Sequence, residues 1–282
     1  MVQPEIKQTT RGIRAILYVA SILVLAVSVS LYFLPTQTEL YFSWTINPPL
    51  TAAFLGAGYL TSFLLEFMSA REKIWARARP AIPAVWAFTF LTLIVTLIHL
   101  DRFHFNSSTF ITVAGTWVWL AVYVSVPIAT GIVWIHQMRQ PGMDPPRTAP
   151  LRKGIRWTLG AQGAIMLILG VLMLIASNFV IAAWPWTLSA LTCRAIGAWG
   201  VGIGLIALQA VGENDWWRLF PMMMSYALYG LLQLINLLRF SDTLEWHEVS
   251  AIFYIVFMIS ILAVGAFGTW QSWLVKQSQE AQ

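Results

Sequence analysis

Eight long apolar runs, separated by short polar breaks, dominate this chain. They fall near residues 13–34, 50–69, 81–100, 111–136, 155–182, 190–211, 219–238 and 249–274. In hydrocarbon a backbone amide must find its partner within its own segment, so apolar runs of about 20 residues predict membrane-spanning helices. The breaks carry Pro48-Pro49, Arg79-Pro80, Gln140-Pro141 and Pro145-Pro146, where a helix does not continue. Residues 103–138 and 157–193 hold no Lys, Arg, Asp or Glu, so hydropathy alone does not fix the helix ends there. The first run, Ala15 to Thr38, exceeds the about 7–15 residues of a signal-peptide core and is read as a retained span.

Composition agrees with the pattern. Of 282 residues, 58% are hydrophobic and 10% charged, with a mean hydropathy of +0.70. Soluble domains carry about 25% charged residues, which excludes that class. The 14% aromatic content excludes a disordered chain. A single cysteine, Cys193, leaves no disulfide framework and no Cys-based metal site.

Charge sets the orientation. With the N-terminus inside, the cytoplasmic segments collect Lys7, Arg11, Arg14, Arg71, Lys73, Arg77, Arg79, Arg139, Arg147, Arg152, Lys153, Arg156, Arg218 and Lys276. Only Arg102, Arg194 and Arg239 fall on the other side. This bias and an even helix count place both termini in the cytoplasm of a cell-membrane protein. It also accounts for the net charge of +5 without nucleic acid, which is not expected as a partner. Trp44, Trp75, Trp157, Trp184, Trp186, Trp216, Trp217, Trp246, Trp270 and Trp273 lie near span ends and read as an interfacial aromatic belt.

The chain also repeats itself. Gly12-Ile13-Arg14 recurs as Gly154-Ile155-Arg156, and Trp44-Thr45-Ile46 as Trp186-Thr187-Leu188. After a one-residue gap, Leu50-Thr51 matches Leu191-Thr192 and Gly56-Ala57 matches Gly197-Ala198. Glu72, Trp75, Arg77 and Pro80 match Glu213, Trp216, Arg218 and Pro221, and Asp101 matches Asp242. Apolar matches come cheaply in a membrane protein, but the spaced Glu, Trp, Arg, Pro set does not. The expected fold is an all-α, eight-helix transmembrane bundle of two parallel four-helix repeats, 1–141 and 142–282.

Two polar stripes interrupt the apolar helices. Thr89, Thr92, Thr96 and His99 share one face of the third span, and Tyr226, Tyr229, Gln233 and Asn236 one face of the seventh. Thr92, Thr96, His99, Tyr229, Gln233 and Asn236 are therefore candidate ligand-binding residues in a polar site between the repeats. Interhelical hydrogen bonding is the alternative reading. A second group lies at the outer rim: Asp101, His104, Arg194, Arg239, Asp242 and Glu245. It would suit acid–base chemistry if the residues converge, and otherwise reads as solvated, helix-capping loops. Arg194 could meet Asp242 or Glu245 there.

Glu66 is the one acidic residue well inside a span, and its counterpart is Ala207. It is expected near the inner interface, snorkelling or paired with a base of the next loop. Gly200 and Gly204 form a GxxxG pattern, for packing within the bundle or for a dimer face. Met222, Met223 and Met224 read as adaptable packing. Glu72 and Arg77, with their copies, brace inner loops or meet a partner or headgroup. No phosphate loop, dinucleotide fingerprint, GxSxG elbow or Arg-rich sensor helix is present, and no metal or cofactor is expected.

The W-T-x-x-x-L-T and G-A segments, at Trp186, Thr187, Leu191, Thr192, Gly197 and Ala198, resemble those of uncharacterised bacterial integral membrane proteins. That resemblance implies a multi-pass membrane protein and brings no activity or site residue with it. Three functions remain in view. They are a binding or transport-type protein for a small molecule or lipid, a membrane enzyme with an outer-face Asp/His/Glu site, and a non-catalytic subunit paired with a membrane-protein partner or a second copy.

Overall fold

The computed structural model describes residues 5–280. Eight of its helices are long and apolar enough to cross a membrane, which marks a multi-pass membrane protein. They are α1 (Arg11–Phe33), α2 (Pro49–Arg71), α3 (Ala81–Ile98), α4 (Phe110–Met138), α5 (Lys153–Ile175), α6 (Ala190–Glu213), α7 (Phe220–Arg239) and α8 (Val249–Glu280). Among the described residues there is no sheet, only isolated bridges joining Ile6 to Met143 and Gln8 to Ile74.

Packing sorts the helices into two classes. The most apolar windows of α2, α3, α6 and α7 are 72, 50, 67 and 61% buried, whereas those of α1, α4, α5 and α8 are 33, 28, 33 and 33% buried. Neighbours follow a closed ring: α1 packs on α2, α2 on α7, α7 on α8, α8 on α5, α5 on α6, α6 on α3, α3 on α4, and α4 on α1. Within the ring α2 also touches α6 and α3. The outer four therefore turn one apolar face to the surroundings, as Phe110, Trp157, Ile175 and Val249 do.

The closest helix pairs meet through glycine. A Cβ at Gly204 would lie 2.9 Å from the Gly163 carbonyl oxygen and from the Leu167 nitrogen of α5. One at Gly197 would lie 2.8 Å from the Gly170 oxygen. Gly200 and Gly204 thus serve the α5–α6 seam inside the bundle, as small residues do wherever membrane helices need backbone proximity.

The fifth span ends earlier than expected, and the first ends where expected but through a widened turn. The fifth span stops at Ile175, where Ala176 (φ −127°, ψ 44°) breaks it before a short helix, Ser177–Ala183. At the end of α1 the chain widens into a π-turn, Val29–Phe33, and stops at Leu34 (φ −120°, ψ 44°). The aromatic belt also needs correction. Trp44, Trp75, Trp186 and Trp216 are buried core residues, and only members such as Trp157, Trp246, Trp270 and Trp273 face outward. The buried four are two of the pairs that recur in sequence, so their matching reflects packing.

At the face where α1 begins, two extended segments cover the helix ends. The Lys7 oxygen accepts from the Trp75 nitrogen at 3.0 Å, and the Ala149 oxygen from the Trp216 nitrogen at 2.8 Å. A partly buried ionic network sits beside the second contact. Arg79 donates to both Glu213 oxygens at 2.7 and 2.8 Å, Arg218 meets Glu213 at 2.8 Å, and Asp144 bridges Arg79 at 2.8 Å and Arg218 at 3.5 Å. Asp215 accepts from the backbone of Thr148 and Trp217, and the left-handed Asn214 (φ 47°) accepts from the Leu151 nitrogen. Burial works against the Arg79 cation, but hydrogen bonds and charge from Glu213 and Asp144 outweigh it and hold its pKa above the usual value.

Two outcomes follow for stability. Gly204→Leu should cost about 1–3 kcal/mol or more through backbone overlap in the α5–α6 seam, read as a lowered Tm of the purified protein. Glu213→Gln leaves two guanidiniums facing a neutral amide and should cost about 3–5 kcal/mol by the same measurement. A Tm unchanged in either variant would contradict the seam or the network.

Candidate functional site

The stripe on α7 makes cross-helix hydrogen bonds. Gln233 Nε2 donates to the Phe54 oxygen at 3.1 Å, and Asn236 Nδ2 to the Ala53 oxygen at 2.9 Å, both on α2. The Gln233 carbonyl accepts from the Tyr254 hydroxyl of α8 at 3.2 Å. Both amides are fully buried. Tyr226, two turns before Gln233, donates to Gln162 of α5, which in turn donates to Ser260 of α8.

The stripe on α3 faces another seam. Thr89 returns its hydroxyl to the Val85 oxygen, and Thr96 accepts from Trp119 Nε1 of α4 at 3.0 Å. The Thr92 hydroxyl has no protein partner and borders a void of about 10 Å³ shared with Leu55, Tyr59 and Trp199. That space is about the size of one water. Thr92 and Thr96 border this void and Tyr229 a different cavity, so the six candidate ligand residues do not line a common space.

Two roomier spaces than this void lie to the sides. One, of about 240 Å³, opens between α5 and α8 and is walled by Met166, Leu169, Met173, Phe179, Trp184 and Tyr254. The other, also about 240 Å³, opens between α1 and α4, among Val24, Val27, Phe42, Tyr59, Trp119 and Tyr123. The cavity between α1 and α4 carries more polar groups: Ser30, Ser43 and Thr112 line it, and the Tyr59 and Tyr123 hydroxyls meet there at 2.7 Å. Comparison with known protein families, curated proteins and solved structures returned no match.

Below the tyrosine pair, Glu66 is buried within α2, bonded to Ser62, with Oε2 lacking a protein partner. It neither snorkels nor takes part in an ion pair, contrary to expectation, because α2 is the most enclosed helix.

At the far face the rim residues divide. His99, Asp101, Arg102 and His104 border a cavity of about 470 Å³ with Trp44, Thr45 and Ser189. Arg194 donates to His99 Nε2 at 2.9 Å and to the Leu174 oxygen, so it does not reach Asp242 or Glu245. His104 is bonded to Thr45 and to the Phe42 oxygen. Arg239 lies over the Tyr32 and Phe240 rings and donates to the Tyr32 oxygen, a carbonyl the end of α1 leaves without a helical donor. Asp242 sits in the turn Ser241–Thr243, and the Glu245 nitrogen donates to the Pro185 oxygen. Among the described residues no three His, Cys, Asp or Glu side chains gather to hold a metal ion.

The sequence left two contacts unnoticed. Trp186 Nε1 donates to the Thr51 hydroxyl at 2.9 Å, joining two W-T-x-x-x-L-T-type segments across the bundle. Cross-bundle reach has no signature along the chain, although the paired recurrence of Trp and Thr hints at it. The other is the bond between Arg194 and His99.

Burial, then the charge of Arg194, lowers the His99 pKa, with Asp101 acting in the opposite sense. A neutral imidazole whose Nε2 accepts from Arg194 is the form this geometry uses. As pH falls below about 6.5, the unfolded chain binds the proton before the folded one, so stability should drop until the folded value is passed. His99→Gln, which still offers an acceptor, should flatten that part of a Tm-versus-pH curve. An unchanged curve would show that His99 does not titrate as described.

Proposed function

We propose that the protein is a lipid-binding, transport-type protein of the cell membrane whose two lateral cavities each take one hydrocarbon chain from the bilayer. The observation that carries this reading is the correspondence of the cavities. Leu23, Val24, Val27, Ser30, Tyr41, Phe42 and Ser43 wall the first, and Ile165, Met166, Leu169, Leu172, Ala183, Trp184 and Pro185 wall the second, each 142 positions later. Both lie between the first and last helix of a quartet and open towards its apolar outer face. Their size is below the about 300–1,000 Å³ of pockets that enclose a whole drug-sized ligand, which suits a single acyl chain.

The reading includes two parallel four-helix repeats, 1–141 and 142–282, with both termini cytoplasmic. Several matched features support it. Leu34 and Ala176 break their helices with nearly the same angles, and the short turns Leu100–Arg102 and Ser241–Thr243 occupy matched positions. In addition, α2 packs on α7 as α6 packs on α3. On this reading Gln233 and Asn236 hold the halves together, Thr96 ties α3 to α4 within the first half, and the ligand lies outside them.

The test uses filling substitutions. A Cβ at Gly115 meets nothing within 4 Å, so Gly115→Phe starts unobstructed from the wall of the first cavity, and Ala183→Phe starts from the wall of the second. Native mass spectrometry of the detergent-purified chain should show retained lipid that falls by one in each single variant and by two in the double variant. A folded wild type that retains no lipid, or variants that retain as much, would overturn the proposal.

A further inference from the structure

A separate cavity lies at the face where α1 begins, beyond the ends of α2 and α8. Its volume is about 470 Å³, and Arg71, Lys73, Arg77, Lys276, Glu72 and Phe220 border it, with Met68 and Ile74. Among the described residues, four cations and one carboxylate border it. That carboxylate is already engaged: Glu72 holds Arg77 through two contacts of 3.0 Å, and the Arg77 guanidinium is nine-tenths buried over the Trp217 ring at 4.8 Å. Arg71 rests on the Phe67 ring at 5.8 Å and Lys276 on the Phe220 ring at 5.9 Å. Aromatic rings therefore brace three of the four cations. Arg71 also closes the C-terminal end of α2, where the helix dipole favours positive charge.

We infer that this cavity binds the phosphate of an anionic phospholipid headgroup. Three observations favour an amphiphilic anion. The cavity lies where two spanning helices leave the apolar layer, which is headgroup depth. Its walls combine cations with Met68, Ile74 and Phe220, and the exposed Phe67 on α2 and Leu274 on α8 offer tails an apolar path. The sequence-matched pair Glu213 and Arg218 supplies the contrast. There the chain provides its own anion, Asp144, between Arg79 and Arg218. Among the described residues that border the cavity beside Arg71 and Arg77, Glu72 is the one carboxylate. The inference is independent of the lateral cavities, which lie towards the other face.

The test compares phosphatidylglycerol, phosphatidylcholine and inorganic phosphate as additives to the intact detergent-purified chain, read by Tm and native mass spectrometry. Phosphatidylglycerol should raise the Tm and give a retained adduct, whereas phosphatidylcholine and phosphate at the same concentration should not. Each cation removed should weaken phosphatidylglycerol about fivefold, so Lys73→Gln with Lys276→Gln should weaken it about 25-fold. Lys73→Arg with Lys276→Arg should preserve binding, which separates charge from folding. Equal effects of the two lipids, an equal effect of phosphate alone, or unchanged affinity in the double Gln variant would each overturn the inference. The Gly115→Phe and Ala183→Phe chains should keep the phosphatidylglycerol effect, so failure of the lateral cavities and failure of this site read differently.

Discussion

A helix in hydrocarbon gains almost nothing by hiding apolar side chains against another helix, because lipid is already apolar. What holds such a bundle is close backbone contact and the pairing of polar groups that lipid cannot pair. The architecture depends on that constraint. Gly163, Gly170, Gly197 and Gly204 let α5 and α6 meet at backbone distance, and Gly230 does the same against Leu262 of α8. Where the contact is polar, side chains reach a neighbour: Gln233 and Asn236 to carbonyls of α2, Trp119 to Thr96, Trp186 to Thr51. Each such bond contributes about 0.6 kcal/mol in membranes, up to about 1.7. Three of these four end on α2, which is why it is the most enclosed helix.

Outside the apolar layer the constraint changes form. Backbone that leaves a helix must be paired by other backbone or by ions, and the two faces do this differently. Where α1 begins, extended segments lie across the helix ends, and the Arg79, Glu213, Arg218 and Asp144 network ties the 80s, the 140s and the 210s together. A pair as buried as Arg218 and Glu213 gains little over an apolar replacement, but loss of one partner strands a charge. The network therefore favours one arrangement of loops more than it adds to stability. On the far face the contacts are smaller and local: Arg194 to His99, Arg239 to Tyr32, His104 to Phe42.

The eight spans were legible because their signal, long uncharged runs, is the physical requirement itself. The break at Ala176 was not, because residues 157–193 hold no charge to mark it and a seven-residue helix resumes at once. Buried Trp44 and Trp186 read as interfacial because position along a span says nothing about which side of a helix faces lipid. The polar stripes were placed on the right faces, but their partners were not. Thr92 and Gln233 align in sequence, yet one borders a void near Leu55 and the other bonds Phe54. Adjacent residues of α2 point about 100° apart, and that rotation separates what sequence alignment had joined.

On the repeat reading, matched positions diverge in one direction. Thr51 and Thr192, Gly56 and Gly197, Glu72 and Glu213, and Arg77 and Arg218 stay alike; all but Thr192, which caps α6 with Ser189, close contacts between elements. Tyr59, Ser62, Glu66 and Ser69 correspond to Gly200, Ile203, Ala207 and Ala210, so one face of α2 keeps hydroxyls and a carboxyl where α6 has none. That face includes the Tyr59 hydroxyl bonded to Tyr123 at the wall of the first lateral cavity. A purely structural role would not require this asymmetry, since the second half packs as well without it. Buried polar side chains in a membrane are costly unless their partners are present, and Glu66 Oε2 has none. The two lateral cavities therefore lie at matched positions but differ in chemistry, since Ser30, Ser43 and Thr112 line the first where Leu172 and Pro185 line the second at the positions matched to Ser30 and Ser43.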